Sequence, residues 1–300
     1  MQDNNNPVIG FVGLGVMGGP MSRNMALKHA GTVIVHDMNR SAFELLEGTG
    51  ARWADSLAAI AAEADIVFLS LPGGPQVEAV CLGPNGLVSG EHLPEVIVDL
   101  STTTQAAAHN VSRGLAERGV AFADAPVART REAAQRGDLS TMVGADDELF
   151  ARLQPLLGYI ATDITHCGGV GCGQVVKLAN NALVFENTLA LAEMMVVAER
   201  AGVDPRVLLD GVSKGSGDSF ALRNHGYKSL LPRAFPEKAF PPEYVVKDLD
   251  YVLELAQQVG VSARVAGMAR AYYEQTAKSG WSGRYYPSVI EVIDQDISID

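Results

Sequence analysis

The stretch VIGFVGLGVMGGPM, residues 8–21, places the pattern G-x-G-x-x-G directly after a short apolar run and at the start of a helical pattern. Gly13 allows a tight turn at this point, and Gly15 allows the backbone to approach a pyrophosphate. Gly18 lets the helix pack closely on the strand, while the free amides of the first helical turn attract an anion. The stretch therefore predicts a dinucleotide-binding site, formed by Gly13, Leu14, Gly15, Val16, Met17 and Gly18.

The first half of the chain alternates short apolar, β-branched runs with segments of helical spacing. The runs that predict strands are residues 8–13, 32–37, 65–72, 95–101, 120–127 and 139–145. Because nearly continuous apolar strands alternate with helices, the pattern indicates a mainly parallel sheet that is covered on both faces. Residues 1–165 are therefore predicted to form an α/β, Rossmann-type dinucleotide-binding domain.

The second half of the chain has a different pattern. Residues 173–201 predict one long helix that joins two domains, and further helical patterns follow at residues 205–213, 219–230, 247–259 and 262–279. No convincing strand run accompanies them, and a proline-rich loop interrupts them. Residues 166–300 are therefore predicted to form an all-α C-terminal domain that begins with the long interdomain helix.

The overall composition excludes several classes of function. A net charge of −12 over 300 residues disfavours a nucleic-acid partner. The N-terminus lacks a cationic leader followed by an apolar core, and no apolar run reaches the roughly 18 residues that cross a bilayer, so we expect a cytoplasmic protein without a membrane partner. The three cysteines have no paired or His-rich spacing, which argues against a disulfide framework and a metal site.

An acidic residue at the end of the second predicted strand indicates which dinucleotide is preferred. Asp37 follows Gly18 by 19 residues, where a carboxylate accepts hydrogen bonds from the adenosine ribose hydroxyls and repels a 2′-phosphate. This favours NAD. Arg40 could instead hold that phosphate, so NADP stays possible, and Asp37 could also simply cap the following turn.

Four polar residues share one face of the long predicted helix. Gln174, Lys177, Asn180 and Asn181 lie at spacings of three and four along an otherwise apolar segment. One alternative is a solvated face or a hydrogen-bond cluster at a domain interface. In an enclosed helix, however, a lysine that is partly removed from water exchanges its proton more readily near neutral pH. Lys177 is therefore the candidate acid/base, and the Asn181 amide, one turn further on, can fix a substrate.

Several motifs together resemble a known family. GFVGLGVMGGPM (10–21), LSLP (69–72), DLST (99–102), DAPV (124–127), GGVGCGQVVKLANN (168–181) and KDL (247–249) follow one another over nearly the whole chain. In this order they resemble the β-hydroxyacid dehydrogenases of the 3-hydroxyisobutyrate dehydrogenase group. The resemblance implies NAD(P)-dependent interconversion of a small anionic 3-hydroxy acid and its semialdehyde, by a homodimer or homotetramer.

The resemblance also implies roles for individual residues. It assigns one catalytic residue, two substrate-binding residues and four cofactor-binding residues: Lys177; Ser101 and Asn181; Leu71, Pro72, Thr102 and Lys247. From the residues alone, Ser101 and Thr102 also fit a turn or a helix N-cap. Lys247 alone would be interpreted as a surface lysine.

The segment after DAPV departs from the family pattern. Ala128, Arg129 and Thr130 stand where most members carry Ser-Gly-Gly, whose hydroxyl and amides hold the substrate carboxylate. An arginine presents a fork of donors suited to a carboxylate or sulfonate, and the triplet is similar to the Gly-Arg-Thr of sulfolactaldehyde reductases. We therefore predict that the three residues bind the substrate and that Arg129 recognises its anion. Alternatively, Arg129 pairs with a carboxylate such as Glu132 or lies in a subunit contact.

Three functions thus stay open besides the leading one. The first is a sulfolactaldehyde reductase-like enzyme that recognises a sulfonate through Arg129. The second is a non-catalytic dinucleotide-sensing protein, although a sensor would not need Lys177 and the asparagines beside it. The third is an imine reductase, which Arg129 disfavours because it would repel an iminium.

Overall fold

A nine-stranded sheet forms the centre of the first half of the protein. The computed structural model describes residues 6–237 and 239–295. In that part of the chain the strands are β1 Ile9–Val12, β2 Val33–His36, β3 Arg52–Trp53, β4 Ile66–Leu69, β5 Val96–Asp99, β6 Ala121–Asp124, β7 Val127–Ala128, β8 Leu139–Gly144 and β9 Ala161–Gly168. Their order across the sheet is β3-β2-β1-β4-β5-β6-β8-β7, with β9 also paired to β8.

The pairing confirms the predicted Rossmann-type sheet. The six strands from β3 to β6 are all parallel, because each connection to the next strand in the sheet crosses over. The strands β6 and β7 run antiparallel to β8, which is itself parallel to β9. The sequence pattern missed β3, which has two residues, and β9, in which exposed and half-buried residues predominate. Neither strand has the apolar run that predicts a buried strand.

The position of β1 determines where a ligand can bind. This strand pairs with β2 on one side and with β4 on the other, so the strand order reverses beside it. In open parallel sheets, ligands bind at the carboxyl ends of the strands next to such a reversal. The carboxyl ends of β1, β4, β5 and β6 are in register, through Val12, Leu69, Asp99 and Asp124. The segments that follow these four residues therefore meet at one edge of the sheet.

Helices cover the sheet on both faces. They are α1 Gly18–Lys28, α2 Leu57–Glu63, α3 Gly74–Leu82, α4 Gln105–Ala116, α5 Arg131–Arg136 and α6 Asp147–Leu157. Alternate residues of one strand enter two different cores: Phe11 of β1 packs in one and Val12 in the other. Since both faces are apolar and buried, burial of the two faces is the main favourable contribution to folding of this half.

The second half of the protein is helical, as predicted. Its elements are α8 Pro205–Val212, a π-helical segment Leu222–Leu230, α9 Pro242–Gln258, α10 Arg264–Thr276 and α11 Val289–Asp294. Phe185, Tyr273 and Tyr286 pack edge-to-face at its centre. Helix α9 begins earlier than the predicted residue 247, because Pro242 occupies its first turn, where a missing N–H costs nothing.

The long helix α7 spans Cys172–Arg200, close to the predicted 173–201. The chain divides into two compact units, Met1–Lys177 and Leu178–Asp300, and the division falls inside α7, whereas we predicted a boundary before this helix. Within the described residues, α7 is also the one helix that is long and apolar enough to span a membrane, contrary to our reading of the sequence. This is weak evidence for a span, because the core helices of soluble proteins meet the same criteria and 44% of the apolar window is buried in the protein.

Candidate active site

The glycine-rich loop after β1 has the conformation that the sequence predicts. Gly13 has a φ of +96°, and a Cβ atom there would lie 2.2 Å from the carbonyl oxygen of Ser70. A Cβ at Gly18 would lie 1.9 Å from the carbonyl oxygen of Gly13, so the first turn of α1 packs directly on the loop. At Gly15, by contrast, a Cβ would meet nothing within 4 Å. Two glycines thus allow close packing, and the third leaves open space beside a helix N-terminus, which fits a dinucleotide pyrophosphate.

Asp37 fastens this loop to the end of β2. Its carboxylate accepts hydrogen bonds from the backbone N–H of Leu14, at 2.6 Å, and of Asn39, at 2.7 Å. The second bond is the turn cap that the sequence left open as an alternative, and the first is a contact that sequence reasoning missed. Arg40 is occupied elsewhere, since it forms an ion pair with Asp55 at 3.0 Å and lies over the ring of Trp53.

The loop after β5 contacts the loop after β4. The Ser101 hydroxyl oxygen accepts a hydrogen bond from the Leu71 backbone N–H at 2.9 Å, so two of the predicted site residues meet. Pro72 follows Leu71 at an exposed position, and Thr102 is half-buried. The cap of α4 is Thr104, whose hydroxyl accepts from Ala107, so the alternative in which Ser101 or Thr102 caps this helix was wrong.

Two buried carboxyl groups lie beneath these loops. Asp99 and Asp124 are neighbours in the register of β5 and β6. Burial raises the pKa of Asp99 to about 7, although hydrogen bonds from Ser101 oppose the shift. Burial likewise raises the pKa of Asp124 to about 6, against hydrogen bonds from the backbone of Gly171 and Gln174. In the described part of the chain, Asp99 Oδ2 has no hydrogen-bond partner.

The start of α7 is held from two sides. Asp124 accepts hydrogen bonds from the backbone N–H of Gly171, at 2.6 Å, and of Gln174, at 2.8 Å. The Gln174 side chain donates to the carbonyl oxygen of Ser101 at 2.9 Å and accepts from the backbone N–H of Thr103 at 3.0 Å. Lys177, three residues further along α7, is 8% exposed. The predicted acid/base therefore lies on a helix whose first turn is bonded to the predicted Ser101 loop.

Two of the predicted residues lie in the second unit. Asn181, one helical turn after Lys177, donates to the Asp248 carboxylate at 2.7 Å and accepts from the Asn180 amide at 3.2 Å. Lys247, in α9, lies 3.2 Å from the other oxygen of Asp248 and over the rings of Tyr244 and Tyr251. Asp248, which sequence reasoning missed, is 2% exposed and thus connects both predicted residues.

Comparisons with known proteins agree with this geometry over nearly the whole chain. Residues 8–169 match the NAD-binding domain of 6-phosphogluconate dehydrogenase, and residues 171–293 match the NAD-binding domain of NADP-dependent 3-hydroxyisobutyrate dehydrogenase. The chain is 34% identical to 2-(hydroxymethyl)glutarate dehydrogenase of Eubacterium barkeri over 96% of its length and 95% of that protein. The chain belongs to the β-hydroxyacid dehydrogenase family.

Two further relatives support this family assignment. The 3-hydroxyisobutyrate dehydrogenase of Pseudomonas aeruginosa is 34% identical over 90% of this chain and 92% of its own. The structure of Mycobacterium tuberculosis 3-hydroxyisobutyrate dehydrogenase with L-serine has a TM-score of 0.86 at 28% identity, over 96% of this chain and 99% of that one. The β-hydroxyacid dehydrogenase is therefore an NAD(P)-dependent oxidoreductase, as predicted.

The described part of this β-hydroxyacid dehydrogenase does not have the side-chain clusters that bind metal ions. Among residues 6–237 and 239–295, no group of three or more His, Cys, Asp or Glu side chains could hold a metal ion. The polar groups at the carboxyl edge of the sheet are instead bonded to backbone amides and carbonyls.

The segment in which this β-hydroxyacid dehydrogenase departs from its family has a clear local structure. Arg129 has a φ of +85°, a conformation that favours glycine. Its guanidinium donates to Asp138 and Thr162, at 2.8 and 3.0 Å, and to the Asp163 carboxylate. This geometry favours the ion-pair alternative, with Asp138 and Asp163 as the carboxylate partners. The anion-binding role of Arg129 stays a prediction.

The neighbours of Arg129 also have structural partners. Ala128 lies in β7, buried and paired with Ser140 of β8. The Thr130 hydroxyl caps α5 by accepting from the Ala133 backbone N–H at 3.4 Å. Substrate binding by these residues would therefore use backbone groups more readily than the side chains that distinguish this chain from its family.

Four buried polar residues beside the predicted site residues were given no role in the sequence analysis, although Gln174 was noted on the helical face of Lys177. Gln174, Asp99, Asp124 and Asp248 are each at most 2% exposed. Asp124 and Asp248 stand inside the motifs DAPV and KDL, and Gln174 stands inside GQVVK. All three therefore lie in motifs that carry the family resemblance. The available signal was a polar residue in an apolar setting, which requires a partner when buried.

We expect Asp99 to make the protein less stable as the pH rises. Its pKa is raised from an ordinary 3.8 to about 7 in the folded state. Its stabilising contribution is therefore complete below about pH 4 and is lost as the pH passes 7. Thermal unfolding at pH 5, 6, 7 and 8 should show a fall in Tm that is smaller in Asp99→Asn than in the wild type.

Two comparisons make this test specific. Asp124 acts in the same direction with a pKa of about 6, so the interval from pH 6 to 8 isolates Asp99. Glu44→Gln, at an exposed position of the segment Arg40–Leu46, should leave the pH dependence unchanged. An Asp99→Asn variant whose Tm falls as steeply as that of the wild type contradicts the prediction.

For Arg129, we expect a glycine to be tolerated better than an alanine. Both replacements remove the ion pairs, which are partly exposed and contribute little to stability. Only glycine relieves the positive φ, which costs a residue with a Cβ about 1 kcal/mol. Urea unfolding should therefore find Arg129→Gly about 1 kcal/mol more stable than Arg129→Ala. Equal stability of the two variants would contradict the prediction. A 10-fold or larger rise in KM for the acid in both variants would support the anion-binding role.

Proposed function

We propose that this enzyme interconverts a small 3-hydroxy carboxylate and its semialdehyde, with NAD as the preferred cofactor. The observation that supports this most is Lys177, an almost fully buried lysine on a helix whose first turn is bonded to the loop after β5. A lysine is rarely buried to this extent, because removing its charge from water is costly. A proton-transfer role accounts for this placement.

The proposed chemistry assigns one task to each side chain. A bound nicotinamide supplies the carbon that accepts or donates the hydride. In oxidation, Lys177 Nζ accepts the proton of the substrate hydroxyl while the carbon that bears the hydroxyl gives up its hydride. In reduction, the ammonium form returns that proton to the oxygen of the carbonyl. The protein thus moves one proton for each hydride that is transferred.

Asn181 retains the capacity to bind a substrate oxygen. Its amide has two N–H donors and two acceptor lone pairs, of which Asp248 uses one donor and Asn180 one acceptor. One donor and one acceptor are thus left for other partners. Asp248 fixes the orientation of the amide, so Asn181 can present these groups without first losing rotational freedom.

The substrate class is proposed from the names of the relatives. 2-(Hydroxymethyl)glutarate and 3-hydroxyisobutyrate are both carboxylates with a primary hydroxyl on the carbon next to that which bears the carboxyl group. Neither is a sulfonate, which does not favour the sulfolactaldehyde reductase-like alternative. We propose that Ser101 and the backbone of residues 128–130 hold the substrate carboxylate, with Arg129 supporting the loop.

The remaining roles are proposed for the dinucleotide. Gly13 to Gly18 would hold the pyrophosphate, and Leu71, Pro72 and Thr102 would lie beside the nicotinamide half. Lys247 stays a prediction for cofactor binding. Asp37 would accept hydrogen bonds from the adenosine ribose, and its negative charge would disfavour a 2′-phosphate.

We propose a soluble, cytoplasmic homo-oligomer. The net charge of −12 over 300 residues supports the first part. For self-association the support is the set of exposed apolar side chains on α7 in the second unit, namely Leu183, Met194 and Val197. A homodimer or homotetramer would cover them.

Replacement of Lys177 tests the proposed function directly. We expect Lys177→Ala to lower kcat about 10²–10⁴-fold, because general acid/base catalysis is lost. The dissociation constant for NADH, measured by fluorescence, should change less than about three-fold. The assay should use C3–C5 hydroxy acids and their sulfonate analogues with both dinucleotides. Lys214→Ala, at an exposed position, is the matched control. Near-normal turnover by Lys177→Ala would contradict the proposal.

Replacement of Asp37 tests the cofactor preference. Asp37→Asn keeps the shape of the side chain and removes its charge. Because a hydrogen bond to a charged group contributes about 1.5–3 kcal/mol, the ratio of kcat/KM for NAD to that for NADP should fall about 10–100-fold. Steady-state kinetics with both dinucleotides measures the ratio, with Glu148→Gln, at an exposed position of α6, as the control. A ratio that does not change would mean that Asp37 only supports the loop.

A further inference from the structure

Gln174 is a buried side chain that the proposed chemistry does not use. It is completely buried, yet its backbone and side chain make three hydrogen bonds to two distant parts of the chain. Its partners lie 50 to 73 residues away in sequence, at the ends of β5 and β6. A buried amide whose nitrogen and oxygen both have partners is costly to replace, because each partner would lose its hydrogen bond.

The side-chain amide of Gln174 recognises one short piece of backbone. It donates to the carbonyl oxygen of Ser101 and accepts from the N–H of Thr103, two residues later. A residue of a neighbouring parallel strand makes the same pair of bonds, through its N–H and its C=O, to residues i and i+2. The glutamine amide therefore replaces a strand at this edge of the sheet and fixes the loop after β5 to α7.

Asp124 fixes the backbone of the same helical turn. The carboxylate accepts hydrogen bonds from the backbone N–H groups of Gly171 and Gln174. N–H groups at the start of a helix have no carbonyl partner within the helix itself. A Cβ at Gly173 would lie 2.3 Å from the carbonyl oxygen of Met142, so the turn also packs directly on β8. The first turn of α7 thus has little freedom to rotate or slide.

Lys177 follows Gln174 by three residues and so projects from the next turn of this helix. Ser101, to which Gln174 is bonded, also accepts a hydrogen bond from Leu71. One chain of hydrogen bonds therefore links Leu71, Ser101 and the helix that bears Lys177. Proton transfer depends steeply on placement, since an error of about 1 Å can cost about 100-fold in rate.

We propose that Gln174 is a positioning residue, which sets the place of Lys177 relative to the Ser101–Thr103 loop by clamping that loop to the first turn of α7. The inference rests on the proposed function, because it assigns the purpose of the clamp to the proton transfer by Lys177. Gln174 itself contacts backbone of the protein, and it acts on the substrate only through Lys177 and Ser101.

Two replacements of nearly equal size distinguish the hydrogen bonds from the packing. Gln174→Met fills the same space without a donor or an acceptor. We expect it to lower kcat about 10–100-fold per folded active site, as counted by NADH binding, while the dissociation constant for NADH changes less than about three-fold. This loss should be nearly independent of pH. Gln154→Met, at an exposed position of α6, is the matched control.

Gln174→Glu supplies a readout that a purely structural role would not move. A neutral carboxyl group can donate to Ser101 and accept from Thr103, as the amide does. An ionised carboxylate has no donor and repels the Ser101 carbonyl. The ratio of variant to wild-type kcat should therefore rise towards one as the pH is lowered from 9 to 5.5, and Gln174→Met should show no such recovery.

Hydrogen exchange tests the clamp without any turnover. In the apoprotein, exchange of the Thr103 amide should be faster in Gln174→Met than in the wild type, and unchanged in Gln154→Met. The inference is overturned if that exchange does not change, if kcat of both Gln174 variants stays within two-fold of the wild type, or if both variants share one pH dependence. Absence of wild-type turnover on every hydroxy acid would overturn the proposed function and the role together, while the exchange data would still show whether the clamp forms.

Discussion

The arrangement of the candidate site depends on one buried carboxylate at the start of a long helix. Asp124 ends β6 and accepts two backbone amides from the first turn of α7, a helix of 29 residues. The aligned peptide dipoles place a partial positive charge at that end, which favours an anionic partner. Burial works in the opposite direction and raises the pKa of Asp124 to about 6. The two hydrogen bonds offset part of the cost of burial, because each carboxylate oxygen accepts one of them. Asp124 can therefore be buried there and hold the start of the helix that bears Lys177.

The other site residues follow from the parallel sheet. Because the ends of β1, β4, β5 and β6 are in register, the segments that leave them start at one edge. There the glycine loop, Leu71, Ser101 and Asp124 can bond to one another or to α7. An antiparallel sheet would send alternate loops to opposite edges, and these contacts would not form. The reversal of strand order beside β1 leaves room for a ligand at this edge. The open space at Gly15 lies at the same edge and can admit that ligand.

The sequence could predict the parts of this structure that depend on neighbours in the chain. Gly13, Gly15 and Gly18 identify a turn between a strand and a helix, and apolar runs identify six strands, because both signals are local. The strand β9 could not be recognised, since few of its residues are buried. Gln174 and Asp124 were visible as polar residues, but their bonds join positions 47 to 73 residues apart, a separation at which one sequence carries no information on contacts. The helical face of Lys177 and Asn181 was predictable because it needs only the helical period.

Arg129 illustrates the same limit at a single residue. Its charge suggested an anionic ligand, whereas in the structure Asp138 and Asp163 are its partners, and Asp163 lies 34 residues away on β9, the strand that the sequence did not predict. The backbone provides the more informative observation. A φ of +85° lies in the region that favours glycine, the residue that the family pattern would place at this position. Ala128 pairs with β8 and the Thr130 hydroxyl caps α5, so the path of the loop is held on both sides of Arg129. Recognition of a carboxylate by backbone amides requires the path of the loop and not the identity of the side chain, so Arg129 is compatible with the proposed substrate class.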